Sequence, residues 1–438
     1  MNALGRRQLL SQLAAGALTF VAGQAGTGLA SAQPRQPSRG EGKPPGPLAI
    51  VGGELRLGSG EPMADAVIVV DAKDGRVRYV GTDEARAKGA QIVSAKGQVV
   101  TAGLVDLLTR IGTTEVSLEK STRDDSLHSD DPIRAAFRSA DGYNPASSLI
   151  AITRMQGVTS VGVAPVRGLV TGQSAWADLA GKLPDDALAR RSLALHVNLH
   201  DAMHGAFGQS RGTALLRLRE LLDDARAFRA NRAAYERRQV RKLGASRLDL
   251  EVVVRALEGR LPVVFHVDRA SDIVTVVALA KEQGLRAVLA SAAEGWKVAD
   301  VIAKAKVPAI VYPLDHGPRS FAALGAREDN AALLHQAGVT LALSTGESHN
   351  ARKLRQEAGN AVRAGLPRRA ALDAVTDAPA RILGMDKDYG ALKAGKVANL
   401  VVWSGDPFEL STQVKQVIIR GRSVPLRSRQ TALFERYR

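Results

Sequence analysis

Strand-like and helix-like segments alternate between about residues 101 and 385, and strand-only runs bracket them over 48–100 and 386–426. No glycine-rich phosphate loop follows an early strand. Together these observations predict an α/β fold. The expected form is a (β/α)8 TIM barrel with a small composite β-sandwich drawn from both chain ends, rather than an open doubly wound sheet.

The first element in the chain reads as an address. Arg6-Arg7 precede Leu9 and Leu10, a moderately apolar run follows from Leu13 to Val21, and Ala30-Ser31-Ala32 offers small residues for cleavage. This order predicts a twin-arginine signal over 1–32 and a periplasmic or secreted protein exported already folded. The apolar run is too short and too rich in Gly, Gln and Ser to span a bilayer. No later segment is apolar enough either, so no membrane contact is expected after cleavage. Residues 33–47, QPRQPSRGEGKPPGP, lack apolar periodicity and read as a flexible tether.

Strands follow: AIVGGELRL, AVIVVDAKDGRVRYVG with Asp74-Gly75 as a hairpin turn, and QIVSAKGQVVTAG. ANLVVWSGD and VKQVIIRGRSV form their counterpart near the other end. In the middle, SLALHVNLH, LPVVFHV, LRAVLAS, VPAIVYP and VTLALST read as strands, and SDIVTVVALAKEQG, GWKVADVIAKAK and NAALLHQAG as helices. One stretch departs from the alternation. Thr213–Arg247, within an insertion near 211–250, sets Leu215, Leu218, Leu221, Leu222, Ala225 and Phe228 at helical spacing beneath an arginine-rich face. A solvated face is the simpler reading of those arginines, and a docking surface for an acidic partner the sharper one.

The net charge is +16 and the sequence pI near 10.3. Aromatics make up only 4% of the chain, and no basic motif interleaved with aromatics is present, so no specific nucleic-acid partner is expected. The absence of cysteine excludes disulfides, thiolate metal sites and a lipid-modified cysteine anchor. No Gly-x-Ser-x-Gly elbow and no paired carboxylates at strand ends are visible.

Several motifs in order resemble the amidohydrolase superfamily, in particular its imidazolonepropionase-like branch. VVTAGLVD, ending at Asp106, is similar to the family's Pro-Gly-Leu-Ile-Asp segment, with Ala102 replacing the proline. GVTSVGVAP and the GLVTGQSA loop resemble its second strand region. LPVVFHVDRASDIVTVVALAKEQGLRAVLASAAEGWKVADVIAKAKVPAIV resembles strands five to seven, and ALDAVTDAPARILGMDKDYGALKAGKVANLVVWSGDP the closing helix and final strands. The resemblance runs from about Leu48 to Val424. It implies a barrel that hydrolyses non-peptide C–N bonds, such as those of cyclic amides, with one or two divalent metals at the C-terminal mouth. Such an ion lowers the pKa of a bound water toward 7.

The family takes its ligands from His-x-His on strand one, a His on strand five, a His on strand six and an Asp on strand eight. Carried over position by position, those slots hold Leu108, Arg110, His266, Ser291 and Gly346. Leucine offers no lone pair, and arginine is a permanent cation hostile to a divalent ion. His266 alone remains, and Asp106 reads as a structural support of the strand-one turn. The vestigial cleft is therefore His266, Ser291, Gly346 and Asp106, with no confident catalytic residue. Ser291 and His266 form a conceivable Ser–His pair that lacks an orienting group.

Three functions follow from this pattern. In the first, no metal or cofactor is expected, and the cleft binds a small anionic or amide ligand through Arg110, His266, Glu347, His349 and Asn350. The protein then acts as a non-catalytic binding or partner subunit, in a homo-oligomer or with an active relative. In the second, His200, His204 and His266 rebuild a mononuclear zinc site and hydrolysis survives. In the third, the arginine-rich insertion makes the chain a basic adaptor. His316 falls on an active-face loop, while His128 and His335 read as loop and helix-surface residues.

Overall fold

β-Branched and aliphatic residues crowd 48–102 and 400–424, and both stretches fold into strands. The computed structural model describes residues 46–71, 73–126, 131–200 and 210–438. The expected signal, and all of the tether except Gly46 and Pro47, lie outside the described residues. Strands β1 (Leu48–Leu55), β2 (Met63–Val70), β3 (Val77–Gly81), β4 (Gln91–Ser94) and β5 (Val99–Ala102) open the described chain.

The middle supplies β6 (Leu104–Thr109), β7 (Val158–Val163), β8 (Val170–Gln173), β9 (Ala175–Asp178) and β10 (Leu188–Arg190). It continues with β11 (Leu195–Asn198), β12 (Val263–Val267), β13 (Ala287–Ser291), β14 (Ala309–Val311) and β15 (Leu341–Leu343). β16 (Leu400–Trp403), β17 (Val414–Ile419) and β18 (Arg422–Val424) return to the first set.

The two ends join in one eight-stranded sheet, ordered β18-β17-β16-β5-β1-β2-β3 with β4 beside β1. Alternation decides which face each residue serves. Val100, Ala102, Leu400, Val402 and Ile418 pack into the sheet's own core, while Val99, Val401, Trp403, Val417 and Ile419 turn toward the core of the middle region.

In the middle, β6 and β7 pair in parallel, as do β11 through β15 in sequence. The segment between these two groups departs from the expected parallel alternation. The stretch read as the GLVTGQSA loop forms β8 and leads into β9, which are antiparallel to β11 and β7 respectively. Ser174 sits between them and exchanges backbone hydrogen bonds with the 193–194 segment. Burial explains this course: every residue of β8 and β9 is enclosed, so its backbone must find ladder partners.

β15 meets β6 through side chains more than through a ladder. Asp106 is fully buried and accepts hydrogen bonds from the Ser344 and Thr345 hydroxyls and from the Thr345 backbone N–H. The Leu108 N–H in turn donates to Ser344 at 3.2 Å. Burial pushes the Asp106 pKa up against these donors. Asp106 thus ties β6 to the segment just after β15.

The arginine-rich insertion is a long helix, a short helix and a return loop into a third helix, not one helix to Arg247. Arg211–Ala230 buries Leu218, Leu221, Leu222, Ala225 and Phe228, as the spacing predicted. Asn231 ends it, a short turn Arg232–Glu236 follows, and Ser246 caps the next helix, Arg247–Leu257. Buried Asp224 holds the loop by accepting from Arg241 and from Gly244 N–H. Much of the charge on this face is neutralised within the chain, by Arg217–Glu220, Arg226–Asp223 and Arg232 with Glu236 and Glu251. Among the described residues, no helix is long and apolar enough to cross a membrane.

Candidate anion-binding cavity at the strand ends

The carboxyl ends of β6, β7, β11, β12, β14 and β15 surround a cavity of about 340 Å³. Its wall includes Leu108 and Arg110 after β6, Asn198 and His200 after β11, His266 and Asp268 from β12, Tyr312 and Arg319 beyond β14, and Gly346 beyond β15. Alternation along and just past β11 sets Asn198 and His200 on one face, and both line the opening.

Arg110 projects the cation. Among the described residues, its nearest carboxylates are Asp125 Oδ2, 3.8 Å from Nε, and Glu347 Oε2, 3.8 Å from Nη2. Both are longer than a hydrogen bond. Asp125 spends its own oxygens on the hydroxyls of Thr114, at 2.9 Å, and Ser126, at 3.2 Å. The guanidinium is thus charge-balanced at a distance, and Arg110 lines the cavity.

His266 is committed elsewhere. Its Nε2 lies 2.9 Å from Nδ1 of His196, one ring nitrogen donating to the other. Burial lowers the His196 pKa to about 3. Burial first, then the neighbouring His196 and His200, holds His266 well below the usual imidazole range. Both rings are neutral at physiological pH. His200 meets His266 edge-on at 5.9 Å, and its Nε2 is 3.4 Å from Asp268 Oδ2.

Ser291 does not join this wall. It and Ala292 take left-handed backbone angles, φ 71° and 48°. The hydroxyl donates to Asp268 and borders a separate small pocket with Asp315 and Asn330. The conceivable Ser291–His266 pair is therefore replaced by a Ser291–Asp268 bond.

Gly346 has a physical reason to be glycine. Its φ is +67°, and a Cβ there would lie 3.2 Å from the Tyr312 ring. An aspartate at this position would meet that ring, so the slot is filled by Tyr312. Glu347 stands beside Arg110, while His349 and Asn350 begin a helical turn, His349–Lys353, outside the cavity wall. His316 bonds the Pro313 carbonyl at 3.1 Å. His335 lines a different cavity, with Gly338 and Asp373. His204 and His128 lie outside the described residues.

A divalent ion does not fit the five carried-over positions. Leu108 and Gly346 carry no donor, Arg110 carries a positive charge, Ser291 is bonded to Asp268, and the His266 Nε2 is bonded to His196. Zinc needs neutral imidazoles, carboxylates or thiolates converging at about 2.0–2.3 Å. Among the described residues, no group of three His, Asp or Glu side chains is placed to hold a metal.

Asp268, Tyr312 and Arg319 escaped the sequence reading. Asp268 had a signal, since it lies two residues past His266 and so shares its strand face. Tyr312 and Arg319 come from a connection whose path no periodicity specifies. Below the cavity, Glu357 is buried and accepts from the Leu314 N–H at 2.7 Å. Burial, reinforced by Asp106 and Asp315, raises its pKa to about 8.

Comparisons with known proteins agree with this architecture. Residues 243–424 match the Amidohydrolase family. The chain is 27% identical over 368 residues to the amidohydrolase tasK of Hapsidospora irregularis, covering 76% of this chain and 37% of that relative. It thus spans little more than a third of the length of the curated relative it matches. Among solved structures, it is similar to an amidohydrolase from Thermotoga maritima MSB8, with TM-score 0.79 and 25% identity, covering 87% of this chain and all of that one. It also shares the fold of molinate hydrolase, with TM-score 0.54 and 18% identity, covering 88% of this chain and 96% of the other.

Proposed function

We propose that this chain is an amidohydrolase-type protein of the (β/α)8 kind whose mouth cavity binds a small carboxylate-bearing ligand and does not run metal-dependent C–N hydrolysis. The observation that carries this reading is Arg110, a guanidinium lining the cavity with its nearest described carboxylates at 3.8 Å. A carboxylate entering at hydrogen-bond distance could engage two of its donors side by side. Arg319 and the His200 and His266 rings line the same space. Export by the twin-arginine route, and action as a binding or partner subunit, complete the proposal.

Calorimetric titration of the full chain with short carboxylates in low-salt buffer tests it. Saturable binding is expected, weakened at least tenfold in Arg110→Ala, since a charge-assisted hydrogen bond contributes roughly 1.5–3 kcal/mol. Binding unaffected by Arg110→Ala, or amide hydrolysis abolished by chelators, would contradict it.

A further inference from the structure

We infer that the ligand is an amphipathic carboxylate, with its head on Arg110 and its apolar body lying across the turn that forms one wall of the cavity. This inference rests on the reading of the mouth as a carboxylate site. The turn is the 3-10 helix Phe321–Ala323, with Ser320 as its N-cap and Leu324 just beyond it. A 3-10 helix repeats every three residues, so side chains at i and i+3 share a face. Ser320 and Ala323 face the cavity. Phe321 and Leu324, each one residue on, face outward and are 88% and 63% exposed. Leu314, on the same connection, is 38% exposed.

Single exposed hydrophobes need no explanation, but Phe321 and Leu324 stand on the very turn whose Ser320 and Ala323 line the cavity. The turn is also firmly held. Ala322 and Ala323 are buried, the Ser320 hydroxyl accepts from Ala322 N–H at 3.2 Å, and Gly325 is fixed by Glu294 and by the Trp296 indole. Phe321 is therefore presented to water by an anchored backbone. The cavity lining also includes the apolar Leu108, Ala164, Pro165 and Val166. The Arg110 charge matches a carboxylate, and these residues with the exposed Phe321 and Leu324 match a hydrocarbon.

The probe is a series of straight-chain carboxylates from butanoate to decanoate, titrated into the full chain, with decanol as the uncharged control. Affinity is expected to rise about fourfold for each methylene that reaches the rim, the value for burying one CH₂. Decanol is expected to bind at least tenfold more weakly than decanoate. Phe321→Ser with Leu324→Ser should flatten the rise while leaving butanoate binding unchanged. Butanoate binding through Arg110 with no rise along the series overturns this inference and leaves the proposed function standing. A rise that survives the double substitution also overturns it. No Arg110-dependent binding of any member defeats both. Concentration-dependent dimerisation lost in the double variant would assign the patch to a second copy of the chain and overturn the ligand reading.

Discussion

Two arginines at opposite ends of the middle region make the same charge do different work. Arg420, beside the sheet of the chain ends, donates to the fully buried Asp178 and to the carbonyls of Asp186 and Ala187. Asp178 also receives Ser160 at 2.7 Å, Asn399 at 2.9 Å and Tyr389 at 2.9 Å, tying β7, β9 and the closing segments into one polar knot. Among the described residues, Arg110 has no such knot: its nearest carboxylates lie at 3.8 Å, and it lines a cavity. A guanidinium with every nitrogen bonded inside the fold holds the fold, and one that lines a cavity without such bonds is available to a ligand.

The largest expected effect breaks the first half of that contrast. Arg420→Met strands a buried carboxylate and should cost about 3–5 kcal/mol in denaturant unfolding, whereas Arg110→Met should change stability by less than about 1 kcal/mol. Equal losses would mean that Arg110 is as structural as Arg420. Next, Gly346→Asp should destabilise by roughly 2 kcal/mol, combining a left-handed backbone with the Tyr312 contact, and should bind no zinc. Adding Tyr312→Ala should recover part of the loss, and no recovery would remove Tyr312 as the reason for the glycine.

Glu357 gives a pH-dependent effect. Its folded pKa of about 8 lies above the ordinary 4.5, so the folded state holds the proton more tightly than the unfolded chain. The contribution is intact below about pH 4.5 and is lost as pH rises toward 8. Glu357→Gln should therefore raise stability at pH 8.5 by a few kcal/mol, at most about 5, and leave it nearly unchanged at pH 4.5, read from denaturant midpoints. A uniform gain at both pH values would remove proton uptake as the cause. The smallest expected effect is on the insertion. Arg217→Ala breaks an exposed i,i+3 pair with Glu220 and should shift stability by less than about 0.5 kcal/mol.

The strand–helix order and the joining of both ends were readable because burial repeats with fixed periods. Val99 and Val100 already sort to opposite faces in the sequence. The antiparallel β8–β9 segment was hidden, since Gly-Leu-Val-Thr-Gly-Gln-Ser-Ala is too glycine-rich to declare a strand and its pairing is a tertiary choice. In the site, Arg110 and His266 share a cavity because each follows its strand in register. Ser291 turns away because two left-handed residues swing it toward Asp268, a local bend no spacing announces. The His196–His266 bond was equally out of reach, although both residues lay on predicted strands, because neighbouring strands are matched only in the fold.

The central claim is that the protein's own cation stands where the resemblance would place an inorganic one. Elemental analysis of the full chain, purified without chelator and dialysed against zinc, tests it most directly. The account expects far less than one divalent ion per chain, unchanged by His266→Ala. One tightly held ion per chain, lost in His266→Ala, would contradict it.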